Sequence, residues 1–502
     1  MTWCYDTYAE VSSSEGEDDW NEASGPRLCL GNAGDMRSYC ECGRPLRRVA
    51  KIPIHVALLS CRKSKACIRC DESILPGDLH FRCRECRDVK VCKDCGPGVY
   101  IEHTFDFFDA RTQERDILDV PDRVLHERKA KQLKRKNSRK RGLVLQPTNP
   151  EDQLANRIAE QVVSNSQRIM QQVMAEGVDV RDADWPVDIF WSLVGASSAI
   201  QAFEATRLLV SCATRQFAYS ETLQKVKAPC KIYGDLHGQL RDLMLLFGTF
   251  GFPGSPESPS VVFNGDFVDR GRHQVEVLCV LFALRILYPQ QVFLNRGNHE
   301  DSHMNRKYGF AKTLSAKFGE ACGDQLFSLI SDSFDMLPLA SLVDDKILVV
   351  HGGIGDGKWA LDDLRAVRRP LQHSDLQDDS NQWLYNLLWS DPIEDDSSSK
   401  SRVFGVHSSP RSKYAVKFGW NVTQAFCAQN GLDLVVRSHQ AKKGGLGFDV
   451  MHNESLIRVF SARDYEGHDN DCAVLSVFRV EEEQKDDVLI VRPQVLSSLT
   501  HG

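Results

Sequence analysis

The chain has 502 residues, 42% hydrophobic and 26% charged, with a formal net charge of −7. That length exceeds one ordinary core, so two or more domains are expected, and the acidic balance gives no global case for direct nucleic-acid binding. With no apolar run of about 18 residues and no basic-then-apolar leader, no membrane partner is expected, and the reading is cytoplasmic, nuclear or both.

Cysteine usage is lopsided: eleven of the seventeen precede residue 100. In a reducing compartment, clustered thiols more often hold metal than form disulfides. Residues 1–50 read as an acidic, disordered segment, through Glu15, Glu17, Asp18 and Asp19. Segment 51–110 is more specific, with Cys67 and Cys70, Cys83 and Cys86, and Cys92 and Cys95 spaced as three Cys-x2-Cys pairs, followed by His103. Each pair can bite one tetrahedral ion, so the spacing points to zinc. Cys29, Cys40 and Cys42 have no clear partner.

The linker, residues 111–150, carries Arg128, Lys129, Lys131, Lys134, Arg135, Lys136, Arg139, Lys140 and Arg141. Two readings stand side by side: an import signal or acidic-surface tether, and a solvated helical linker. In residues 151–184, Leu154, Ile158, Val162, Ile169 and Val173 recur at near-helical spacing. That pattern predicts an amphipathic helix, packed on the following domain or offered to a partner. Residues 187–217 read as two helices.

From there, apolar strand-like runs end repeatedly in chemistry-bearing residues. Lys231-Ile232-Tyr233 leads to Asp235 and His237; Ser260-Val261-Val262-Phe263 to Asp266, Asp269 and Arg270; Gln291-Val292-Phe293-Leu294 to Asn298 and His299. Ile347-Leu348-Val349-Val350 ends at His351, and Leu434-Val435-Val436-Arg437-Ser438 at His439. Buried strands read as short apolar runs, and α/β sites form beyond their carboxyl ends. Carboxylate, imidazole and amide groups gathered on one rim suit two divalent ions roughly 3.5–4 Å apart, which clamp a phosphate and activate a water for in-line attack. The assignment puts Asp235 and His237 on one ion and Asn298, His351 and His439 on the other, with Asp266 bridging. His299 is the candidate general acid, Asp269 its orienting carboxylate, and Arg270 a guanidinium fork for phosphate oxygens.

With Tyr308-Gly309-Phe310, Leu337-Pro338-Leu339-Ala340, Leu388-Trp389-Ser390-Asp391-Pro392 and Phe460-Ser461-Ala462, the stretch from about 230 to 478 resembles the serine/threonine phosphoprotein phosphatases of the PPP superfamily. Its wording is nearest the tetratricopeptide- and EF-hand-bearing branches, although neither repeats nor a calcium loop are visible. The resemblance implies an α/β (α+β) metallophosphatase fold, a β-sandwich flanked by helices, over residues 185–480, followed by a tail at 481–502. It also implies a manganese or iron/zinc pair, phosphoprotein substrates, and hydrolysis of phosphoserine and phosphothreonine without a covalent enzyme intermediate. Two positions depart from it. The family's Ser-Ala-Pro-Asn-Tyr-Cys loop reads Ser461-Ala462-Arg463-Asp464-Tyr465-Glu466 here, keeping Tyr465. The phosphate-binding arginine after Trp-Ser-Asp-Pro falls to Arg411, one residue off the family spacing, or to Arg402.

The cysteine-rich segment resembles a ZZ-type zinc finger. That resemblance implies one zinc on Cys67, Cys70, Cys92 and Cys95, and a second begun by Cys83, Cys86 and His103. Tyr100 stands where the fourth ligand usually lies; His80, Cys61 or His55 substitutes, or the second site is weak or absent. Such fingers bind protein segments, so a targeting module is expected. The function expected of the whole is therefore a protein serine/threonine phosphatase. The alternative is a catalytically weak scaffold that binds phosphorylated partners, motivated by the altered loop and the displaced arginine.

Overall fold

The computed structural model describes residues 150–178, 180–182, 185, 188–394, 403–480 and 488–499, and the backbone alone of five short strands between residues 65 and 108. Among those strands, β1 (Lys65–Ala66) pairs antiparallel with β2 (Ser73–Ile74). Strand β3 (His80–Cys83) lies between β4 (Lys90–Cys92) and β5 (Phe105–Phe108), which puts the backbone of His80 opposite that of Cys92. The expected zinc ligands Cys67, Cys70, Cys86, Cys95 and His103 lie outside the described residues, as do Cys61, His55, Arg402, the acidic segment and the basic run.

From residue 223 onward the chain is built on two facing sheets. Their first strands are β6 (Leu223–Val226), β7 (Cys230–Tyr233), β8 (Ser260–Phe263), β9 (Val292–Leu294), β10 (Ala340–Val343) and β11 (Ile347–Val350). A small sheet follows, of β12 (Asp391–Pro392), β13 (Val406–Ser408) and β14 (Val416–Phe418). The last strands are β15 (Leu434–Arg437), β16 (Phe448–Met451), β17 (Leu456–Val459), β18 (Cys472–Val480) and β19 (Val488–Leu496). One main sheet runs β19-β18-β7-β8-β9, with β7, β8 and β9 parallel; the other runs β16-β17-β15-β11-β10-β6.

Alternation along the strands explains the sandwich. Ile347 and Val349 join Ile232, Val262, Val436, Val459 and Leu475 in the layer between the sheets. Leu348 and Val350 point the other way, into a second cluster with Leu342, Leu384, Leu388 and Phe426. Period-two side chains buried on both faces make the unbroken apolar runs seen in the sequence. Each fully buried Val or Leu contributes about 1.5–3 kcal/mol relative to exposure.

On the outer face of the five-stranded sheet pack α1 (Pro150–Glu176), α2 (Ile189–Val194), α3 (Ala199–Tyr219), α4 (Leu240–Phe250) and α5 (Gln274–Leu287). Helix α1 touches α3, α4 and α5, so the amphipathic lead-in is part of this core rather than a free arm. Its buried stripe is Ala155, Ala159, Val162, Val163, Ile169 and Val173, whereas the expected Leu154 is 46% exposed. The small alanines allow close approach of a neighbouring helix, which a leucine stripe would not. No helix among the described residues is long and apolar enough to cross a membrane.

Candidate active site

The loops after β7, β8 and β9 leave one sheet, and those after β11 and β15 leave the other; all five open onto the same rim. Asp235, His237, Asp266, Asn298, His351 and His439 are all buried there. His237 Nε2 lies 3.8 Å from Asp235 Oδ2 and 3.6 Å from Asp266 Oδ2. His351 Nε2 lies 3.3 Å from Asp266 Oδ1 and 2.9 Å from Asn298 Oδ1. Asp266 belongs to two donor groups, one with His237 and His299 and the other with His351 and His439. The backbone N–H of His439 donates to Asp235 Oδ1 at 2.9 Å, tying the two halves together.

The second nitrogens of the imidazoles are spoken for. His237 Nδ1 is 3.0 Å from the carbonyl oxygen of Val268, and His351 Nδ1 is 2.7 Å from that of Asn264. Those contacts leave the Nε2 atoms facing the acids, the tautomer a metal ligand needs. Burial, then the neighbouring His299, pushes His237 down to about 3, so its imidazole is neutral. Burial, then the charge of Asp266, pushes Asp235 up to about 7. Burial also opposes charge on His351, but Asp266 and Asp235 outweigh it and raise that ring to about 9. Two adjacent buried carboxylates thus draw positive charge into the site. The buried His439 Nε2 has no hydrogen-bond partner. That nitrogen lies 4.0 Å from Asp391 Oδ1, while His439 offers a ligand atom within 4.8 Å of those of Asp266 and His351, a donor set that fits a divalent cation.

His299 Nδ1 stands 2.8 Å from Asp269 Oδ2. Burial disfavours its charged form, yet Asp266 and then Asp269 outweigh burial and hold His299 above its ordinary value. Asp269 is itself fixed by the Asn305 side chain at 2.9 Å and the Phe310 N–H at 3.1 Å. Arg270, on the same loop, has Nη1 2.5 Å from Glu466 Oε1 and lies over the Tyr308 ring. Arg411 Nε lies 2.5 Å from Asp391 Oδ2, and the other oxygen of that carboxylate is 4.0 Å from His439 Nε2. Tyr465 stacks on His237, with ring centroids 4.8 Å apart.

Three features had no role in the sequence reading. Glu300 accepts backbone N–H bonds from Asp266 (2.7 Å), Phe267 (2.8 Å) and Gly297 (2.8 Å), clamping the loop bearing Asp266 to the one bearing Asn298. Its neighbour Gly297 must lack a side chain, because a Cβ there would sit 2.3 Å from Asp266 Oδ1. Arg437, fully buried, bonds the carbonyls of Gly352 and Ser390 and the carboxylate of Asp391. Finally, His237, Asp266, Asp269, Arg270 and His439 themselves adopt positive φ, between 43° and 75°. Non-glycine residues tolerate that conformation only where the surroundings over-determine it, and such residues cluster at functional sites. A glutamate two residues after Asn298 was the signal for the clamp; the strained backbones left none.

The altered loop packs on the site through Tyr465. Arg463 lines the neighbouring cleft and is paired there: its N–H and Nε bond Asp242 at 2.8 and 3.0 Å, with both side chains buried. The residue in place of proline therefore anchors the loop to α4, its charge matched by Asp242.

Comparison with known proteins agrees with this geometry. A family profile described as calcineurin-like phosphoesterase matches residues 229–443. The serine/threonine-protein phosphatase BSL2 of Arabidopsis thaliana is 37% identical over 272 residues, covering 54% of this chain and 26% of that protein. Serine/threonine-protein phosphatase T of Aspergillus oryzae is 39% identical over 235 residues, covering 47% and 45%. The chain thus spans less than half the length of either relative. A solved protein serine/threonine phosphatase from Saccharomyces cerevisiae, described as similar to human phosphatase PP5, is 31% identical with a TM-score of 0.51, over 60% of this chain and 91% of that one. On the site, the fold and these likenesses together, the chain belongs to the serine/threonine protein phosphatases and carries their calcineurin-like phosphoesterase domain.

Proposed function

We propose that this chain hydrolyses phosphoserine and phosphothreonine in proteins, and that Asp235, His237, Asp266, Asn298, His351 and His439 hold a pair of divalent cations. When bound, such a pair supplies Lewis acidity toward the phosphoryl oxygens and acidifies a water for in-line attack. Asp266, which falls in both donor groups, would serve both cations. His299, its Nδ1 held by Asp269, presents its other nitrogen to the leaving seryl or threonyl oxygen and delivers a proton there. Arg270 and Arg411 grip phosphoryl oxygens, each releasing a carboxylate to do so. Tyr465 closes the site over His237. Either manganese or an iron/zinc pair suits this mixture of nitrogen and oxygen donors.

The observation that carries the reading is the convergence of six donor side chains from five loops beside a polarised His299–Asp269 pair. The scaffold alternative draws on the loop at Arg463 and Asp464 and on the displaced arginine; the pairing of Arg463 with Asp242 weighs against the first of these. A phosphopeptide turnover assay with manganese on the wild type, His299→Asn and Asp235→Asn tests it; equal rates in all three would reject the mechanism.

For the amino-terminal part, the proposal is a zinc-stabilised ZZ-like module that binds a protein segment and selects location or substrate, in a cytoplasmic or nuclear protein. Three Cys-x2-Cys pairs within one short stretch support it.

A further inference from the structure

Beside the metal rim lies a cleft of about 390 Å³ lined by residues including Arg181, Arg270, Arg272, Asp464, Tyr465 and Glu466. Among these, Glu466 holds the guanidinium of Arg270 and has no role of its own in the catalytic scheme. Glu466 Oε1 lies 2.5 Å from Arg270 Nη1, so the guanidinium offered to phosphate already holds an anion. The carboxylate does not get there by chance wandering. Asp464 and Glu466 both adopt left-handed backbone, at φ 48° and 49°. The loop between them is fastened on each side. Tyr465 N–H donates to Asn470 Oδ1 at 3.0 Å, and His468 N–H donates to the Tyr465 carbonyl at 2.9 Å. Asp464 accepts from the Ser498 hydroxyl and from Leu499 N–H. Arg463 is locked to Asp242. A loop held at this many points keeps the glutamate aimed at Arg270.

We propose that Glu466 is an internal competitor for phosphate: a phosphoester gains Arg270 only by displacing this carboxylate. The inference rests on the reading of Arg270 as a phosphate-gripping group. Glu466 acts through Arg270 and touches no reacting atom, so its role is one of access. Two effects run the same way. The ion pair must be broken before phosphate binds, and the displaced carboxylate then faces a phosphate dianion as a like charge. Because the side chains are 31% and 43% exposed, solvent screens the pair. Its weight is that of a surface ion pair, enough to tune affinity about two- to five-fold without shutting the site. The consequence for substrates is a bias against anions that make no contact beyond the phosphate site, free inorganic phosphate above all. Phosphoproteins with further contacts along the cleft are affected less.

The test measures kcat and KM for a phosphopeptide, and the inhibition constant of inorganic phosphate, in the manganese-loaded full chain and its Glu466→Gln variant. The expected result is a two- to five-fold fall in both KM and the inhibition constant, with kcat changed less than either, and a difference that shrinks in high salt. Introduced into an Arg270→Ala background, Glu466→Gln is expected to have no effect on either constant. Unchanged constants in the single variant would overturn the proposal, as would a fall that persists without Arg270. Calorimetric titration of inorganic phosphate gives the same comparison without turnover. A wild type that binds phosphate but hydrolyses nothing would sink the phosphatase reading and still decide the role of Glu466.

Discussion

His299 and Asp269 form a buried pair, 2.8 Å apart, in which the carboxylate is pinned by two further donors and the imidazole is free to turn only its Nε2 toward the rim. An imidazole oriented in this way suits the general-acid role proposed for it, a role worth about 10²–10⁴-fold in rate. His299→Asn is therefore expected to lower kcat for a phosphopeptide by that order while bound metal, read by elemental analysis, stays the same. Asp269→Asn should lower kcat less, because the ring keeps its position through packing against Tyr308 and His237.

Removing a donor should act on the metal instead. His439→Ala takes away the imidazole grouped with Asp266 and His351, and Asp235→Asn one carboxylate of the pair. Both variants should lose part of the bound metal, and added manganese should raise their melting temperature less than it raises that of the wild type. A ligand present at about 100 times its dissociation constant stabilises the native state by about 2.7 kcal/mol. Identical manganese-induced shifts in wild type and variants would remove these residues from the cation site.

The Arg463–Asp242 pair can be tested as a structural anchor. Burial works against the Asp242 charge and pushes its carboxyl up to about 6, while the attraction to Asp242 holds Arg463 above its ordinary value despite burial. Truncating one partner strands a buried charge, at a cost of about 3–5 kcal/mol. Urea unfolding should show that loss for Asp242→Ala. The double variant Arg463→Met/Asp242→Leu should be milder than either truncation, since it leaves no charge behind.

His452, away from the metal rim, sets a pH dependence. Its Nδ1 is 2.7 Å from the Thr423 hydroxyl and its Nε2 3.0 Å from the Ile393 carbonyl oxygen. Burial pushes it down to about 4. Between pH 6.5 and 4 the unfolded chain then binds the extra proton, so this residue's share of stability is present at neutral pH and is lost on acidification. Going from pH 7 to 5 should cost about 2 kcal/mol through this group. The positive φ at His452, 55°, suits asparagine, so His452→Asn is the apt control. Urea melts of both proteins at the two pH values should show a smaller acid loss in the variant.

For the cysteine-rich segment, a fragment covering residues 50–110 is expected to bind about one or two zinc ions and to lose its fold with a chelator. A metal-free fragment that melts cooperatively would count against a zinc module.

Much of the site was readable from residue types and order, because a buried strand followed by Gly and Asp or His leaves a conspicuous mark. The arrangement of the two sheets was less readable: β11 and β15 look like β7 and β8 in sequence, and only long-range pairing divides them between layers. The register of α1 was misjudged at its start, since hydropathy favours Leu154 over the alanines that close packing selects. Nothing local in the sequence pairs Arg463 with Asp242, 221 residues away. Glu466 escaped for the same reason: its partner Arg270 is 196 residues distant.

His351 and His439 ride on one sheet, while Asp235, Asp266 and Asn298 ride on the other. The cation pocket is thus a joint between two slabs, and its dimensions are set by how closely the slabs stack. Trimming a filler such as Val349 in the middle layer, remote from any phosphate, would let the slabs settle or slide. Such a change would be felt first as altered grip on manganese, well before the protein ceased to fold.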